Sequence, residues 1–337
     1  MARDDRILLG HGSGGTLSHR LITDLFFPYL QNPILQQRDD SAVLGNLQGE
    51  VVFTTDSYVV DPIIFPGGDI GRLAVCGTVN DLAMLGARAH YLSAGFILEE
   101  GLPVEQLRKI LDSMKKAATE AEVQIVTGDT KVVPHGAADK IFINTAGIGI
   151  RNKGVDISGG NARQGDVVII NGNIAEHGLA VMASREGLEL KVGMQSDVAP
   201  LNNLVADLLA RVSGIHVMRD PTRGGLATTL NEIAIQSGVG IKVMEKDLPV
   251  SAAVQGVCEI LGLDPLYVAN EGKFLIFCDP KQAEKILSIL RAHPYGKNAC
   301  IIGMVVDQPV GKVYMETQIG GQRLIDMLAG EQLPRIC

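Results

Sequence analysis

The sequence predicts an α/β (α+β) protein of two domains, on three observations. The chain has 337 residues, about twice the usual domain length. Stretches of helical and of strand periodicity alternate through both halves, the pattern of α/β and α+β architectures. Between the halves lies RNKGVDISGGNARQGD (151–166), polar, glycine-bearing and without periodicity, which marks the domain boundary. The expected units are residues 1–151, residues 155–325 and a mobile tail over 326–337.

In the first half, VVFTTDSYVV (51–60) alternates well enough for a strand, with Asp56 as a polar intrusion. Residues 69–86 read as a helix that buries Ile70, Leu73, Ala74, Leu82 and Leu85. The clearest helix is PVEQLRKILDSMKKAATEAE (103–122), with Pro103 in its first turn and Leu107, Ile110, Leu111, Met114, Ala118 and Ala121 at helical spacing. VQIVTGDT follows as strand then loop, and KIFINTAGIGI (140–150) as a further strand. In the second half, helices are expected near 176–186, 198–212, 225–237 and 281–292, and strands at 215–219, 239–244, 273–278 and 300–306.

Composition narrows the function classes. Hydrophobic residues at 46% and charged residues at 20% describe an ordinary globular protein, and a net charge of -8 argues against a nucleic-acid surface. No apolar run approaches eighteen residues, and MARDDRILLG has acids where a signal peptide needs a cationic start, so a cytoplasmic location is expected. Five cysteines, at 76, 258, 278, 300 and 337, contain no CxxC pair, which points to reduced thiols and away from a structural zinc site. Cys76, Cys258, Cys278 and Cys300 lie among apolar neighbours, as small core residues do. Cys337 is different: a thiol on a tether.

The chemistry is concentrated in acidic loops. RDDSAVL (38–44), TTDSYVVDP (54–62), GTVNDLAM (77–84) and TGDTKVV (127–133) each set an aspartate beside glycine, serine or threonine. Singly, such residues serve as turns or helix caps. Asp56 and Asp129 fit that use poorly, since each is in or just after an apolar strand, where an uncompensated carboxylate is costly. Two unit charges 4 Å apart at an effective dielectric near 20 interact by roughly 4 kcal/mol, so converging carboxylates need a cation. Oxygen ligands of this kind suit Mg2+ shared with the phosphates of a nucleotide. The expected Mg-ATP site uses Asp40, Asp56, Asp81 and Asp129 as metal ligands, with Asp39 and Asn80 nearby and Gly128 and Thr130 flanking Asp129. GHGSGG (10–15) offers closely spaced backbone N–H groups from His11, Gly12, Ser13, Gly14 and Gly15, suited to covering phosphates, although it is neither GxGxxG nor a Walker loop.

The ordered set DDSAVL, FTTDS, GTVNDLAMLGA and GDT resembles the PurM-like superfamily of aminoimidazole ribonucleotide synthetase, thiamine-monophosphate kinase and selenophosphate synthetase. Within it, HGSGG, DSYVVDPIIFPGGDIGRLAVCGTVNDLAMLGA, GFILEEGLP, TGDTKVV, RDPTRGGLATTLNEIA, ANEGK and PRIC together resemble the hydrogenase maturation family HypE, over nearly the whole chain. The resemblance implies a PurM-like two-domain fold, with strands of the first domain forming a shared β-barrel in a homodimer. It also implies a carbamoyl dehydratase. A carbamoyl group delivered by the carbamoyltransferase HypF is carried on the terminal cysteine, and ATP drives its dehydration to a thiocyanate. Cyanide then passes to iron held by the HypC-HypD complex, for the [NiFe]-hydrogenase centre.

That chemistry needs a carrier, a base and a γ-phosphate site. Cys337 is the carrier. Glu271 in VANEGKFLI is the candidate base, against an ordinary turn carboxylate. Lys131 is a candidate contact to the γ-phosphate or carbonyl oxygen, against a solvated lysine. Arg223 in RDPTRGGL, at a helix N-terminus, is a candidate for orienting a phosphate or the tail. His11 and His135 are weaker candidates. The seven residues 331–337 can extend roughly 25 Å, enough to swing between a cleft and a partner. The rival readings are another PurM-like kinase or ligase, and a nucleotide-binding scaffold whose tail only docks a partner. Selenophosphate synthesis is disfavoured because no cysteine precedes Cys76.

Overall fold

The computed structural model describes residues 5–13, 15–38, 41–185, 193–328, 330 and 335–337. The chain opens with a 3₁₀ turn at Leu9–Gly12, followed by α1 (Thr16–Leu21), a π-helical turn at Ile22–Phe26 and α2 (Phe27–Leu30). Next come β1 (Glu50–Tyr58), a small hairpin of β2 (Ile64–Phe65) and β3 (Gly68–Asp69), and α3 (Ile70–Met84). β4 (Ala87–Glu99), α4 (Val104–Glu120), β5 (Gln124–Val133) and β6 (Ile141–Arg151) complete a four-stranded sheet of order β1-β6-β4-β5. Only β4 and β5 run parallel in it, and α4 is their crossover.

α4 follows its sequence pattern: Leu107, Ile110, Leu111, Met114, Ala117 and Ala118 are buried, and Pro103 caps the helix rather than entering its first turn. α3 is apolar nearly all round because it is buried nearly all round. Asp69 caps it, its carboxylate accepting from the N–H groups of Gly71 (2.8 Å) and Arg72 (3.0 Å). One flank of α3 packs on the sheet, where Tyr58, Thr78 and Thr145 link hydroxyl to hydroxyl. Ala83 and Met84, at its far end, join the core of the second unit. The helix therefore carries Asn80 and Asp81 to the junction of the two halves.

The second unit contains β7 (Val167–Ile170), α5 (Glu176–Arg185), α6 (Asn202–Arg211), β8 (Ile215–Arg219), α7 (Gly225–Ser237) and β9 (Gly240–Met244). It continues with α8 (Ala252–Leu261), β10 (Leu275–Cys278), α9 (Ala283–Ala292), β11 (Cys300–Val306), β12 (Val313–Glu316) and β13 (Gln322–Ile325). Its seven strands are ordered β13-β12-β9-β11-β7-β10-β8, with β12 and β9 the parallel pair. Before α7, Gly224 and Gly225 both take left-handed φ values, 73° and 58°. A Cβ on Gly225 would stand 2.6 Å from the carbonyl oxygens of Leu266 and Val268, so only glycine fits.

Several expectations change: Leu85, expected on the buried side of α3, follows its last turn and is 39% exposed. TGDT continues β5 to Val133 instead of forming a loop, and β4, α8, β12 and β13 are elements that the periodicity did not reveal. Of the four cysteines expected in the core, Cys76, Cys258 and Cys278 are buried, and Cys300 is half-buried.

Candidate active site

Glu271 is fixed from its backbone outward. Its N–H donates to Asp197 Oδ1 (3.1 Å), and its carbonyl accepts from the Asn80 side-chain amide (3.2 Å). Asn80 also donates to Ala199 O (3.0 Å) and accepts from Leu201 N–H (2.7 Å). Both ends of the Asn80 amide are thus committed to the second unit, which makes it a staple beneath Glu271 and not a free nucleotide contact. The Asp197 carboxyl is held below its usual range: burial opposes this, but Lys273, whose Nζ is 2.9 Å away, outweighs it. Glu271 is 4% exposed, and its Oε1 has no hydrogen-bond partner among the described residues. Burial, then the negative field of Asp197, Asp220, Asp56 and Asp81, pushes this carboxyl well above the ordinary range.

Around it stand three more acids. Asp56 in β1 shares a sheet face with Thr54, whose hydroxyl donates to Asp81 Oδ2 (2.9 Å). Asp81 is pushed up to about 6, chiefly by burial, with Asp56 adding to it and Thr54 opposing. Asp220, which follows β8, is pushed up to about 7 by burial and then by Asp81. Arg223 approaches this group, with its guanidinium 3.7 Å from Asp56 Oδ1.

Cys337 lies in the same place. Ile336 is 3% exposed and belongs to the core of the first unit, while the half-buried Cys337 packs against that core. The thiol is pushed well above its ordinary range by burial and then by Glu271, with Arg223 opposing. Docked in this way it is a protonated, weakly nucleophilic thiol.

A second group of residues surrounds a cavity of about 480 Å³ under α1 and α2, at the β5 edge of the sheet. Phe26, Phe27 and Ile125 form apolar wall, and His11, Gly12 and Gly128 to Lys131 form polar rim. Gly12 is needed there, since a Cβ would fall 2.6 Å from Val132 N. The His11 ring is used locally, its Nδ1 accepting from Leu8 N–H (2.9 Å). Lys131 pairs with Asp129 in its own strand (2.8 Å), and this pairing holds the Asp129 carboxyl below its usual range. Ser13 and Gly15 flank the turn before α1, and His135 is an exposed partner of Glu99 (3.0 Å).

Of the expected metal ligands among the described residues, Asp129 stands apart from Asp56 and Asp81 within one chain. Asp129 is opposite Gly95, Gly95 opposite Asn144 and Asn144 opposite Ser57, so Asp129 shares its sheet face with Ser57. Asp56, one residue earlier in β1, projects from the other face. Three inter-strand spacings, about 14 Å, separate β1 from β5 along the sheet. Asp39, Asp40 and Gly14 lie outside the described residues. Among the described residues no group of three or more His, Cys, Asp or Glu side chains is arranged to hold a metal ion. Asp56 and Asp81 act electrostatically on Glu271, and Asp56 on Cys337; Asp129 is among the causes for neither.

Sequence reasoning missed Asp220, although it stands in the quoted RDPTRGGL. An acid between a strand and a proline at a glycine-rich helix start was an available signal. His177, Asp197 and Lys273 had no local signal, since their roles depend on partners far along the chain.

Two units of mixed sheet and helix meeting at an acidic cleft define a class, and the sequence comparisons agree with it. Residues 38–151 match the family described as "AIR synthase related protein, N-terminal domain", and residues 163–316 match "AIR synthase related protein, C-terminal domain". The chain is 52% identical over 335 residues to "Carbamoyl dehydratase HypE" of Azotobacter vinelandii, covering 99% of this chain and 98% of that protein. A solved structure of "Hydrogenase Maturation Protein HypE in complex with ATP" superposes with a TM-score of 0.95 at 54% identity, covering 98% of this chain and 99% of that one. The HypE chain of a "HypE-HypF complex" superposes with a TM-score of 0.81 at 49% identity, covering 91% and 99%. The chain belongs to the carbamoyl dehydratase HypE family.

Proposed function

We propose that this protein is an ATP-dependent carbamoyl dehydratase in hydrogenase maturation, and that Cys337 carries the group through the reaction. The observation that supports this most directly is that Ile336 and Cys337 dock on the core of the first unit, within the electrostatic reach of Glu271 and Asp56. A kinase or ligase acting on a diffusible substrate has no use for a half-buried thiol docked there. A docking scaffold has no use for the unpaired acid.

The overall conversion is S–C(=O)–NH2 + ATP to S–C≡N + ADP + phosphate, with release of a proton. The carbamoyl oxygen attacks the γ-phosphorus, and the bond from that phosphorus to ADP breaks. The amide nitrogen gives up its two protons as the carbon–nitrogen bonds form and the carbon–oxygen bond breaks, so oxygen leaves as part of phosphate. A poor leaving group becomes a good one. Glu271, whose charge acts on the thiol, is the group to take a proton from nitrogen. The raised carboxyls fit a divalent cation, since positive charge would relieve the repulsion that burial enforces. Mg2+ arriving on the nucleotide phosphates would be met by one or two of Asp56, Asp81 and Asp220 and would stabilise charge on the transferred phosphoryl group. Lys131, Gly128, Asp129 and Thr130, with His11, Gly12, Ser13 and Gly15, form the nucleotide-binding set around the cavity.

A homodimer completes this account. Val51, Phe53 and Ile97 are 62%, 65% and 43% exposed on the uncovered sheet face, which is apolar surface suited to a second copy and to the shared barrel. Asp129 and Lys131 stand on that same face, so covering it turns them toward the neighbouring chain, and the ATP site draws on both. HypF is the proposed carbamoyl donor and the HypC-HypD complex the proposed cyanide acceptor, with residues 1–151 and 155–325 as the two domains of a cytoplasmic enzyme. Mass spectrometry of the C-terminal peptide tests the reading. After incubation with a carbamoyl donor and ATP, that peptide is lighter by one water than its carbamoylated form; a modification on another cysteine refutes it.

A further inference from the structure

The backbone oxygens of the last three residues, 335–337, all accept hydrogen bonds. Arg335 O accepts from Asp61 N–H (3.2 Å) and the Arg185 guanidinium (2.7 Å), and Cys337 O from Val59 N–H (3.3 Å). Ile336 O accepts from His177 Nε2 (2.9 Å). His177 is fully buried, set edge-on to Phe65 with the ring centroids 5.4 Å apart. Its Nδ1 is 2.7 Å from Ser196 Oγ, which in turn accepts from Val198 N–H (3.1 Å).

These partners fix the proton positions. A carbonyl can only accept, so Nε2 carries the hydrogen; Nδ1 of the neutral ring then accepts from the Ser196 hydroxyl. Burial, with Lys273 adding to it, holds the ring below its ordinary pKa against the opposing pull of Asp197. Every polar atom of the ring is used while the tail is docked. When the tail leaves, an N–H in an apolar setting loses its acceptor and the Ile336 side chain leaves the core, and both changes favour return.

We infer that His177 is the positioning residue that latches the tail, holding Ile336 so that the adjoining Cys337 stays docked in the cleft, with Ser196 fixing the ring tautomer. The latch reads the backbone and Ile336 but not the group on sulfur, so it receives loaded and unloaded tails alike. Its catalytic consequence rests on the reading of Cys337 as carrier; the docking itself does not.

The test is the rate of iodoacetamide labelling at Cys337, followed by peptide mass spectrometry on the full chain in its native oligomer, with half-buried Cys300 as internal reference. His177→Leu and Ser196→Ala are compared with the parent protein. His177→Leu is expected to label at Cys337 at least 10-fold faster and Ser196→Ala several-fold faster, with Cys300 unchanged. An unchanged Cys337 rate in Ser196→Ala and in folded His177→Leu, or a parallel rise at Cys300, overturns the latch. If His177→Leu does not fold, Ser196→Ala decides alone. In the same proteins, loading by a carbamoyl donor is expected to continue while single-turnover dehydration slows at least 10-fold. Fast Cys337 labelling in the variants, with no dehydration on any tail including the parent's, would keep the latch and sink the carrier reading.

Discussion

Asp220→Asn separates stability from function at the acidic cleft. Its carboxyl is raised from 3.8 to about 7, so the folded protein binds a proton there that the unfolded chain releases near pH 4. Stability from this site is therefore fully present below about pH 4 and is lost as pH rises toward 7. At 1.36 kcal/mol per unit, the rise of about three units sets an upper bound near 4 kcal/mol. Asp220 keeps some solvent contact and shares its shift with Asp81, so about 2 kcal/mol is the expected gain when asparagine removes the charge. For a chain of this size, that corresponds to a Tm higher by about 3 °C at pH 8 and unchanged at pH 4. Thermal unfolding across this pH range measures it. With Mg-ATP present the order reverses, because the parent protein gains more from the cation than the variant does. A variant less stable than the parent at pH 8 without ligand, or a difference that does not vary with pH, would refute the reasoning.

Further outcomes follow from the same geometry. Glu271→Gln keeps the shape of the side chain and removes the base, so single-turnover dehydration falls by roughly 10²–10⁴-fold, while ATP binding by calorimetry is unchanged. Asn80→Ala leaves Leu201 N–H without its acceptor and frees the Glu271 backbone; about 1–3 kcal/mol of stability is lost in denaturant titration, and dehydration slows with it. Calorimetry with ATP gives weaker binding in a chelator than with Mg2+; equal affinity would remove the metal from the account. Cys337→Ala abolishes the carried group by mass spectrometry and leaves ATP binding intact.

The sequence made some of this plain and hid the rest for physical reasons. α4 was legible because one face alone is buried, and its apolar residues recur at 3.6-residue spacing. β4 was not: Ala87, Ala89, Ala94 and Gly95 leave a weak alternation, and its strand character comes from pairing on both edges. Glu271 and Cys337 could be named from the chain alone, as an acid before a strand and a thiol at its last residue. The parity of β1 and β5, which sends Asp56 and Asp129 to opposite faces, follows from the register of four strands and appears in no local motif. Asn80 looked like a ligand because an amide beside an aspartate suits a phosphate site, yet its partners are Ala199, Leu201 and Glu271. His177 had no signal at all, because its partner, Ile336, is 159 positions away.

The central claim is that the group on Cys337 loses its oxygen to the γ-phosphate of ATP. Carbamoylating the tail with an 18O-labelled carbamoyl oxygen and adding ATP in unlabelled water tests it most directly. The account predicts one labelled oxygen in the released phosphate for each thiocyanate formed. Unlabelled phosphate, with the label lost to water, would contradict it.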